Sequence, residues 1–490
     1  MGLGDRTAQV RKLRVLTVLV LAVGPLAGCG GDDAASAPAP GSTLDATLVD
    51  RDGDGALERG PGEPLRDRTE LGCGGAPGEV LATFAQITDA HVRDEESPAR
   101  VPFLDRLGSP FTTAFRPQES LSAQVLAASV RSVNRLRPQA VAVTGDLVDN
   151  AQGDELDLAA SLLDGGCARP DTGAPGYDGV QQASNPDPLI YRPDNDAPRR
   201  PGLLEQAQRS FDTPGLDAPW YPAAGNHDLL AQGEAPPTPQ IQTFATGSTE
   251  LQSLDPNVRA DRDTDPALAV DELLSQQLPG RTRSVPADPA RRLVTEADLL
   301  RRFKQPGRDG RLDYTFDIGP SARAIVLDAV DREGGSRGRV LATQLGWLRD
   351  ELARAGERSV VVFSHQPLDA SDGGEAALQV LDRSPRVVAA IAGHRHRNRI
   401  TPRREGGYWL IETSALADHP QQTRAFRLRR APRGVVLETW MLDHDGRGLA
   451  GAARELAFLD AQGGRPRGLS GAVGDRNARL YVPGGGSAGR

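Results

Sequence analysis

Short runs of apolar residues, each followed at once by polar ones, recur along this chain from position 80 onward. Unbroken apolar runs of about four to eight residues are typical of buried strands, and alternating runs are typical of strands with one wet face. These runs predict strands over residues 80–87, 140–144, 220–224, 314–318, 324–327, 360–363, 387–391, 408–413, 424–428 and 435–441. Helical periodicity predicts helices over residues 118–136, 155–163, 342–354 and 449–459. The chain is therefore expected to fold as an α/β protein.

Two polar stretches interrupt this alternation of strands and helices. Residues 164–200 are rich in Gly, Pro and Asp, and residues 231–300 are mostly polar with scattered prolines. Both are expected to be long loop insertions, because neither carries a sustained apolar period. The remaining pattern predicts a single domain over residues 79–445, followed by a C-terminal helix and a frayed tail at 446–490.

The N-terminal residues carry a targeting pattern and are excluded from the fold. A basic stretch ends at Arg14, residues 15–23 are apolar, and Leu26-Ala27-Gly28-Cys29 follows. The pattern resembles a bacterial lipoprotein signal over residues 1–28, in which Cys29 is lipidated and anchors the chain to the outer face of the cell membrane. The alternatives are an ordinary secretory signal and a short membrane anchor, although so short an apolar stretch falls below the roughly 20 residues that span a bilayer.

Residues 29–78 are expected to connect this anchor to the domain. Within them, residues 30–43 are rich in Ala, Pro, Gly and Ser, which is typical of a flexible tether. Export leaves Cys73 and Cys167 as an even pair in an oxidising compartment, which favours a disulfide between them; the alternative is two free thiols.

The charge of the chain argues against long nucleic acids as partners. The formal net charge is -9, and removing the +3 of residues 1–28 leaves about −12 for the rest. An acidic surface repels the phosphate backbone of DNA and RNA, so no specific nucleic-acid binding is expected.

Five short motifs rich in Asp and His stand directly after predicted strands. They hold five of the seven histidines in the chain, and the other two are His419, expected in a surface loop, and His444, expected in a turn. In order, the motifs are Asp89-Ala90-His91, Gly145-Asp146-Leu147-Val148-Asp149, Gly225-Asn226-His227-Asp228, Ser364-His365 and Gly393-His394-Arg395-His396. In α/β sheets, ligands bind at the carboxyl ends of the strands, so the motifs are expected to meet there.

The residue types in these motifs are those of a dinuclear metal site. Seven side chains offer ligands, three through oxygen and four through imidazole nitrogen: Asp89, His91, Asp146, Asn226, His365, His394 and His396. Residues two apart on an extended chain point the same way, so each Asp-x-His or His-x-His pair is expected to reach one ion. Mixed nitrogen and oxygen donors without thiolate favour two ions of Mn, Fe or Zn over Ca.

His227 directly follows Asn226 and is expected to point away from the metal that Asn226 would hold. It is then free to donate a proton to a leaving oxygen, with Asp149 or Asp228 accepting its other ring hydrogen. Two ions about 3.5–4 Å apart would hold a bridging hydroxide that attacks phosphorus. The motifs thus predict a metal-dependent hydrolase that acts on a small phosphoester substrate.

All five motifs, in this order, resemble those of the calcineurin-like metallophosphoesterase superfamily, over residues 80–445. Residues 94–100 and 201–228 also look like those of exported bacterial members, largely without known substrates. The resemblance implies a four-layer α/β/β/α sandwich of two mixed sheets flanked by helices. It implies a first ion on Asp89, His91, Asp146 and His396, a second on Asp146, Asn226, His365 and His394, and His227 as catalytic acid with Asp149 as its partner.

The residues after the second motif bear on the substrate. The phosphoprotein-phosphatase branch of the superfamily carries Arg-Gly there, whereas this chain has Asn150-Ala151. The form Gly-Asp-x-x-Asp-Asn is closer to phosphodiesterase-like members, so a phosphodiesterase is the leading expectation. The alternatives are a phosphomonoesterase of small phosphorylated metabolites and an inactive surface binding module. The intact set of ligands argues against the binding module.

Overall fold

Two mixed β-sheets lie face to face at the centre of the protein. The structure is a computed structural model that describes residues 41–101, 115–255, 257, 268, 280–462 and 469–484. Its strands are β1 (Ala46–Val49), β2 (Glu58–Pro61), β3 (Arg66–Arg68), β4 (Val80–Ile87), β5 (Ala140–Thr144), β6 (Gly166–Ala168), β7 (Phe211–Thr213), β8 (Trp220–Ala223), β9 (Thr249–Leu254), β10 (Gly280–Ser284), β11 (Tyr314–Ile318), β12 (Ala322–Val326), β13 (Ser359–Phe363), β14 (Val387–Ala392), β15 (Arg399–Arg403), β16 (Tyr408–Glu412), β17 (Gln422–Ala431), β18 (Gly434–Asp443) and β19 (Ala478–Pro483). Its helices are α1 (Ser122–Leu136), α2 (Gly153–Asp164), α3 (Leu203–Ala207), α4 (Pro239–Ala245), α5 (Glu296–Arg302), α6 (Ala342–Arg354), α7 (Gly374–Asp382), α8 (Leu449–Gln462) and α9 (Val473–Arg476).

The larger sheet has seven strands in the order β3-β19-β18-β17-β4-β5-β8. Strands β4, β5 and β8 run parallel, and β17 pairs with β4 antiparallel. Every residue of β5 is buried, as an apolar run in the parallel part of a covered sheet should be. The three parallel strands end at Ile87, Thr144 and Ala223, directly before the first three motifs.

The smaller sheet has six strands in the order β11-β12-β13-β14-β16-β15. Strands β12, β13, β14 and β16 run parallel, whereas β11 and β15 are antiparallel edge strands. Strand β13 ends at Phe363 and β14 at Ala392, directly before the fourth and fifth motifs. The two sheets therefore bring their parallel strand ends, and the five motifs, to one edge of the protein.

Alternating side chains divide the apolar core into layers. Phe84 of β4 stacks on Phe426 of β17 with 4.7 Å between ring centroids and meets Phe363 of β13 edge-on at 6.0 Å. In β13, Val361 and Phe363 face this central core, whereas Val360 and Val362 join a separate cluster with residues of α6 and α7. Helix α1 packs on the seven-stranded sheet through its own apolar residues. The predicted four-layer α/β/β/α sandwich is therefore confirmed.

Both chain ends of the described part contribute to the fold. Strand β19 pairs antiparallel with β18 and parallel with β3, so the tail predicted to fray supplies a strand of the central sheet. Ser42 and Thr43, predicted to lie in the tether, are buried, and the Thr43 hydroxyl donates to the Met441 carbonyl at 3.0 Å. The signal pattern, Cys29 and residues 30–40 of the tether lie outside the described residues. Among the described helices, none has the length and apolar character needed to cross a bilayer.

The two predicted insertions carry more structure than loop alone. Residues 164–200 begin with β6, which pairs with β7, and residues 231–300 contain α4, the antiparallel pair of β9 and β10, and the start of α5. The disulfide prediction is wrong, since Cys73 and Cys167 are exposed free thiols. The two thiols have different surroundings. Cys167, in β6, lies opposite Asp212 of β7, and the Cys73 sulfur lies 3.6 Å from Nη1 of Arg433.

Candidate metal centre

The five motifs converge into two groups of ligand atoms that share one carboxylate. In the first group, the ligand atoms of Asp89, His91, Asp146 and His396 all lie within 4.8 Å of one another. In the second, those of Asp146, His365 and His394 satisfy the same limit. Asp146 belongs to both groups, as a residue that bridges two ions must. Three of these residues follow strands of the larger sheet and three follow strands of the smaller one.

Backbone strain marks the ligand positions. Five of the six residues in these groups have a left-handed φ: 52° at Asp89, 44° at His91, 46° at Asp146, 68° at His394 and 53° at His396. The expectation that Asp89 and His91 lie on extended chain is therefore wrong, although their ligand atoms do converge. Left-handed backbone costs a residue other than glycine roughly 1–2 kcal/mol and is found where function requires it.

Two glycines next to ligands allow the motifs to close on one another. Gly145 has φ +84°, and a Cβ there would lie 2.5 Å from Nδ1 of His365. A Cβ at Gly393 would lie 2.0 Å from the Thr88 hydroxyl and 2.4 Å from Oδ2 of Asp89. Because neither position has room for a side chain, a glycine is required at both.

Hydrogen bonds fix the two carboxylates before any ion binds. Asp89 accepts from the Thr88 hydroxyl at 2.6 Å and from the His394 backbone N–H at 3.0 Å. Asp146 accepts from the His227 backbone N–H at 2.9 Å through Oδ1, and its Oδ2 lies 3.1 Å from Nε2 of His365. Burial raises the pKa of Asp146, but the nearby imidazoles of His365 and His227 outweigh burial and hold it well below its usual range. The shared carboxylate is therefore charged.

Two imidazoles each present a buried nitrogen to the centre. Nε2 of His91 and Nε2 of His365 are buried and have no hydrogen-bond partner among the described residues. The opposite ring nitrogens are satisfied, since Nδ1 of His91 donates to Asp149 Oδ1 at 3.1 Å and Nδ1 of His365 donates to the Thr144 carbonyl at 2.8 Å. Buried polar atoms are normally hydrogen-bonded, so unpaired ring nitrogens facing carboxylates fit metal ions.

Asn226 lies beside the second group. It is buried, its side-chain Nδ2 donates to the Gly233 carbonyl at 3.0 Å, and its Oδ1 accepts from Gln366 Nε2 at 3.2 Å. Gln366 follows His365 directly, so Asn226 is hydrogen-bonded to the chain neighbour of a residue of the second group. The Asn226 amide oxygen keeps a second lone pair with which it can bind an ion.

His227 is oriented by a backbone carbonyl and not by a carboxylate. Its Nδ1 donates to the carbonyl oxygen of Asp149 at 2.5 Å. The Asp149 carboxylate instead contacts His91 and, at 2.5 Å, Nε of Arg100. The predicted partnership between His227 and a carboxylate of Asp149 or Asp228 is therefore wrong at the atomic level.

The Asp228 carboxylate holds two motifs together. It accepts from the backbone N–H groups of Leu147 at 2.8 Å, Val148 at 3.1 Å and Gly225 at 2.8 Å. Burial and the charge of Asp146 raise the pKa of Asp228 to about 7. Asp228 thus fixes the second motif against the third and does not touch the His227 ring.

Burial and nearby charges have opposing effects on the pKa values of four imidazoles in the site. Burial lowers the pKa of His227 to about 4 and that of His394 to about 3. Burial also lowers the pKa of His365 and of His396, but nearby negative charges raise it by more. The carboxylate of Asp146 has the largest such effect on His365, and those of Asp89 and Asp418 have it on His396. The pKa values of His365 and His396 rise to about 9 and about 10.

Sequence reasoning missed the residues that support the ligands from behind. Asp418, in a stretch expected to be a surface loop, accepts from Nδ1 of His396 at 2.5 Å and is held by Arg116. Arg100 holds Asp149, and Gln366 contacts Asn226. No local pattern signals these contacts, because Arg116 and Asp418 are separated by 302 positions in the chain.

The fold and site together define the class of the protein. A two-sheet sandwich that carries two Asp and His groups joined by one carboxylate at its strand ends is built for two-metal hydrolysis. A model of the calcineurin-like phosphoesterase family matches residues 82–398, which is more than half of the chain. The chain therefore belongs to this family. It is a hydrolase of phosphoric ester bonds, and the site of its family is dinuclear.

Several solved structures are similar to this chain. A dimetal phosphatase from Danio rerio is 16% identical with a TM-score of 0.38, over 75% of this chain and 100% of that one. The Thermus thermophilus sulfate thiohydrolase SoxB, in complex with glycerol, is 15% identical with a TM-score of 0.32, over 79% and 61%. The purple acid phosphatase PPD1 from yellow lupin is 14% identical with a TM-score of 0.30, over 76% and 53%. No curated protein matches the sequence significantly.

Proposed function

We propose that this protein hydrolyses small phosphodiesters outside the cytoplasm, with two metal ions and with His227 as general acid. The observation that carries the proposal is the position of Asp146, whose carboxylate belongs to both groups of ligand atoms. A carboxylate in this position can bridge two ions, which is the arrangement that in-line displacement at phosphorus uses.

The proposed ligand sets follow the two groups. Asp89, His91, Asp146 and His396 would hold the first ion, and Asp146, Asn226, His365 and His394 would hold the second. Mn, Fe or Zn suits these oxygen and imidazole donors. When bound, two such ions neutralise the phosphate and lower the pKa of a water molecule, so that it can attack phosphorus.

His227 would supply the proton to the leaving oxygen. Its Nδ1 is occupied by the Asp149 carbonyl, so Nε2 is the atom left to exchange a proton with a substrate. Burial lowers the pKa of His227 to about 4, and the ring is therefore neutral near pH 7 in the free protein. The negative charge of a bound phosphoester raises that pKa and favours the protonated ring that a general acid needs.

The identity of the residue after the second motif, Asn150, supports the proposal of a diester substrate. Asn150 is buried, its Nδ2 donates to Gln152 Oε1 at 3.1 Å, and its Oδ1 accepts from the Gln232 backbone N–H at 2.7 Å. This asparagine stands where the phosphoprotein-phosphatase branch of the superfamily carries an arginine, and the form Gly-Asp-x-x-Asp-Asn is closer to phosphodiesterase-like members. A phosphomonoesterase of small metabolites is the alternative, and an inactive surface binding module is a second one.

We further propose that the reaction takes place at the outer face of the bacterial membrane. The support is the pattern of residues 1–28 and the position of Cys29, whose lipid would be the contact with the membrane. The partners would then be this membrane and a small phosphoester, and the acidic chain disfavours long nucleic acids.

The test uses the full-length protein, purified in detergent, stripped of metal and reloaded with Mn²⁺. Initial rates compare bis(p-nitrophenyl) phosphate with p-nitrophenyl phosphate, and Asp146→Asn is the control. We expect faster hydrolysis of the diester and loss of that activity in the variant. Faster hydrolysis of the monoester would favour the phosphomonoesterase, and two bound ions without turnover of either ester would favour the binding module.

A further inference from the structure

A buried carboxylate stands behind His396, on the side of the ring away from the centre. Asp418 lies in the loop between β16 and β17 and is 1% exposed. Nδ1 of His396 donates to its Oδ2 at 2.5 Å, while Nε2 of the same ring lies 3.3 Å from Oδ1 of Asp89. The imidazole therefore connects Asp418 to the first group of ligand atoms.

Arg116 holds the Asp418 carboxylate in one orientation. Its Nε donates to Oδ1 of Asp418 at 2.5 Å, and its Nη2 donates to Oδ2 at 3.3 Å. The surrounding loop is also anchored, since Gln118 Nε2 donates to the Ala417 carbonyl at 2.9 Å. A carboxylate fixed by a two-pronged arginine stays ionised and accepts from His396, which leaves the lone pair of Nε2 facing the centre.

The same arrangement recurs on the other imidazole of the first group. Nδ1 of His91 donates to Asp149 Oδ1 at 3.1 Å, and Nε of Arg100 lies 2.5 Å from Asp149 Oδ2. In the second group, Nδ1 of His365 instead meets a neutral backbone carbonyl, that of Thr144. Both imidazoles of the first group thus have a carboxylate at the outer ring nitrogen, whereas His365 of the second group has a neutral carbonyl there.

This difference has a consequence for metal binding. A carboxylate that accepts from the outer ring nitrogen makes an imidazole a more basic ligand and fixes its tautomer, and removing such a partner typically weakens metal binding about 10–100-fold. The first group also contains two carboxylates, Asp89 and Asp146, whereas the second would complete its set with the neutral amide of Asn226. Both effects favour tighter binding of a cation in the first group.

We infer that Asp418, held by Arg116, is a positioning residue for His396 and makes the first ion site the tighter of the two. The inference rests on the proposed function, because it assigns His396 to a metal ion. It predicts two classes of metal affinity in one chain, with the tighter class dependent on a residue that touches no ion.

The test measures Zn²⁺ binding to the full-length, metal-stripped protein by titration against a competing chelator. We expect the wild type to bind two ions with unequal affinity. Asp418→Asn keeps an acceptor oxygen for His396 but removes the charge, so we expect the tighter class to weaken about 10–100-fold while the weaker class is unchanged. A structural defect alone would weaken both classes together, and a melting curve checks the fold.

Asp445→Asn is the matched control. Asp445 accepts from Arg131 Nε at 2.7 Å and from Nη2 at 3.1 Å, and so forms the same kind of arginine pair without contacting a ligand. If Asp418→Asn does not fold, Arg116→Gln releases the same carboxylate and should weaken the same class.

Unchanged affinities in a folded Asp418 variant, or the same loss in Asp445→Asn, would overturn the inference while leaving the proposed function intact. A wild type that binds fewer than two ions and hydrolyses neither ester would instead overturn the proposed function and this inference with it.

Discussion

The residues that face the centre sit on backbone that few side chains tolerate. Asp89, His91 and Asp146 share a left-handed φ with both histidines of the fifth motif. The sequence does not predict these left-handed φ angles, because the motifs have the pattern of ordinary strand ends. The ligand types could be predicted from their chemistry, whereas the backbone that makes them converge depends on contacts between distant motifs.

Gly145 offers a test of this close packing. A Cβ there would lie 2.5 Å from the His365 ring, whereas Gly310, with φ +77°, has nothing within 4 Å of its Cβ position. Alanine at either position costs about 1 kcal/mol for left-handed backbone. We expect Gly310→Ala to lose only this much stability and to keep full activity.

Gly145→Ala should lose about 1–3 kcal/mol more through overpacking, and its hydrolysis of the diester should fall with it because His365 must move. Denaturant unfolding and diester turnover measure both effects. A Gly145→Ala protein as stable and active as Gly310→Ala would contradict the packing described for His365.

We predict that His227 is a general acid and not a metal ligand. His227→Ala keeps the backbone N–H that donates to Asp146 and removes only the ring. We expect kcat for the diester to fall about 10²–10⁴-fold, the usual contribution of a general acid, while two ions stay bound. Metal analysis and steady-state kinetics are the measurements. Loss of an ion would make His227 a ligand, and a loss below tenfold in kcat would remove it from the proton transfer.

His419 is more enclosed than a surface loop would make it. Its ring packs against Phe458 of α8 with 5.2 Å between ring centroids. His444, predicted to lie in a turn, follows β18 in a stretch without regular structure; its Nδ1 accepts from the Gly446 N–H at 3.1 Å, and it is buried. Helix α8 covers both histidines, and a local sequence pattern does not reveal such covering.

This enclosure predicts a pH dependence of stability. Burial and the charge of Arg454 lower the pKa of His419 to about 4, from about 6.5 in an unfolded chain. As the pH falls from 6.5 to 4, the unfolded state binds a proton that the folded state does not, so the free energy of unfolding falls.

His419→Gln removes this proton and should flatten the decline. Between pH 7.5 and 4.5, we expect the wild type to lose about 1–3 kcal/mol more unfolding free energy than the variant, measured with urea. Equal losses would mean that His419 titrates in the folded protein as it does in the unfolded chain.

At the scale of elements, the apolar run decides what can be predicted. Strands β5 and β11 and helix α6 have the predicted bounds, because their residues carry a complete apolar run or period. Strand β15 contains a single buried apolar residue, Ile400, and exists because β16 pairs with it. Edge strands of this kind depend on their neighbours and leave little trace in their own sequence.

Strand β19 is the clearest element that the sequence did not predict. Leu480 is fully buried and stands opposite Leu437 of β18. We expect Leu480→Ala to lower the free energy of unfolding by about 2–5 kcal/mol, as truncation of a buried leucine does. Arg479→Ala, on the same strand with a partly exposed side chain, is the control and should cost less than about 1 kcal/mol. A frayed tail would tolerate both substitutions equally.

In the whole molecule, the metal centre lies where two sheets meet. Asp89, His91 and Asp146 follow strands of the seven-stranded sheet, whereas His365, His394 and His396 follow strands of the six-stranded one. The order of motifs and the α/β class could be predicted, because each motif follows its own apolar strand. The bounds 79–445 are too narrow for the larger sheet, which also includes β3 and β19. The supporting pairs Arg116–Asp418 and Arg100–Asp149 could not be predicted, because each joins loops that are distant in the chain and meet only in the folded protein.

The anomalous diffraction of crystals loaded with Mn²⁺ would test the dinuclear centre most directly. We expect two anomalous peaks about 3.5–4 Å apart, one on each side of the Asp146 carboxylate. The first should lie among Asp89, His91 and His396, and the second among Asn226, His365 and His394. A single peak, or two peaks that do not share Asp146, would contradict the dinuclear centre and the hydrolytic mechanism proposed from it.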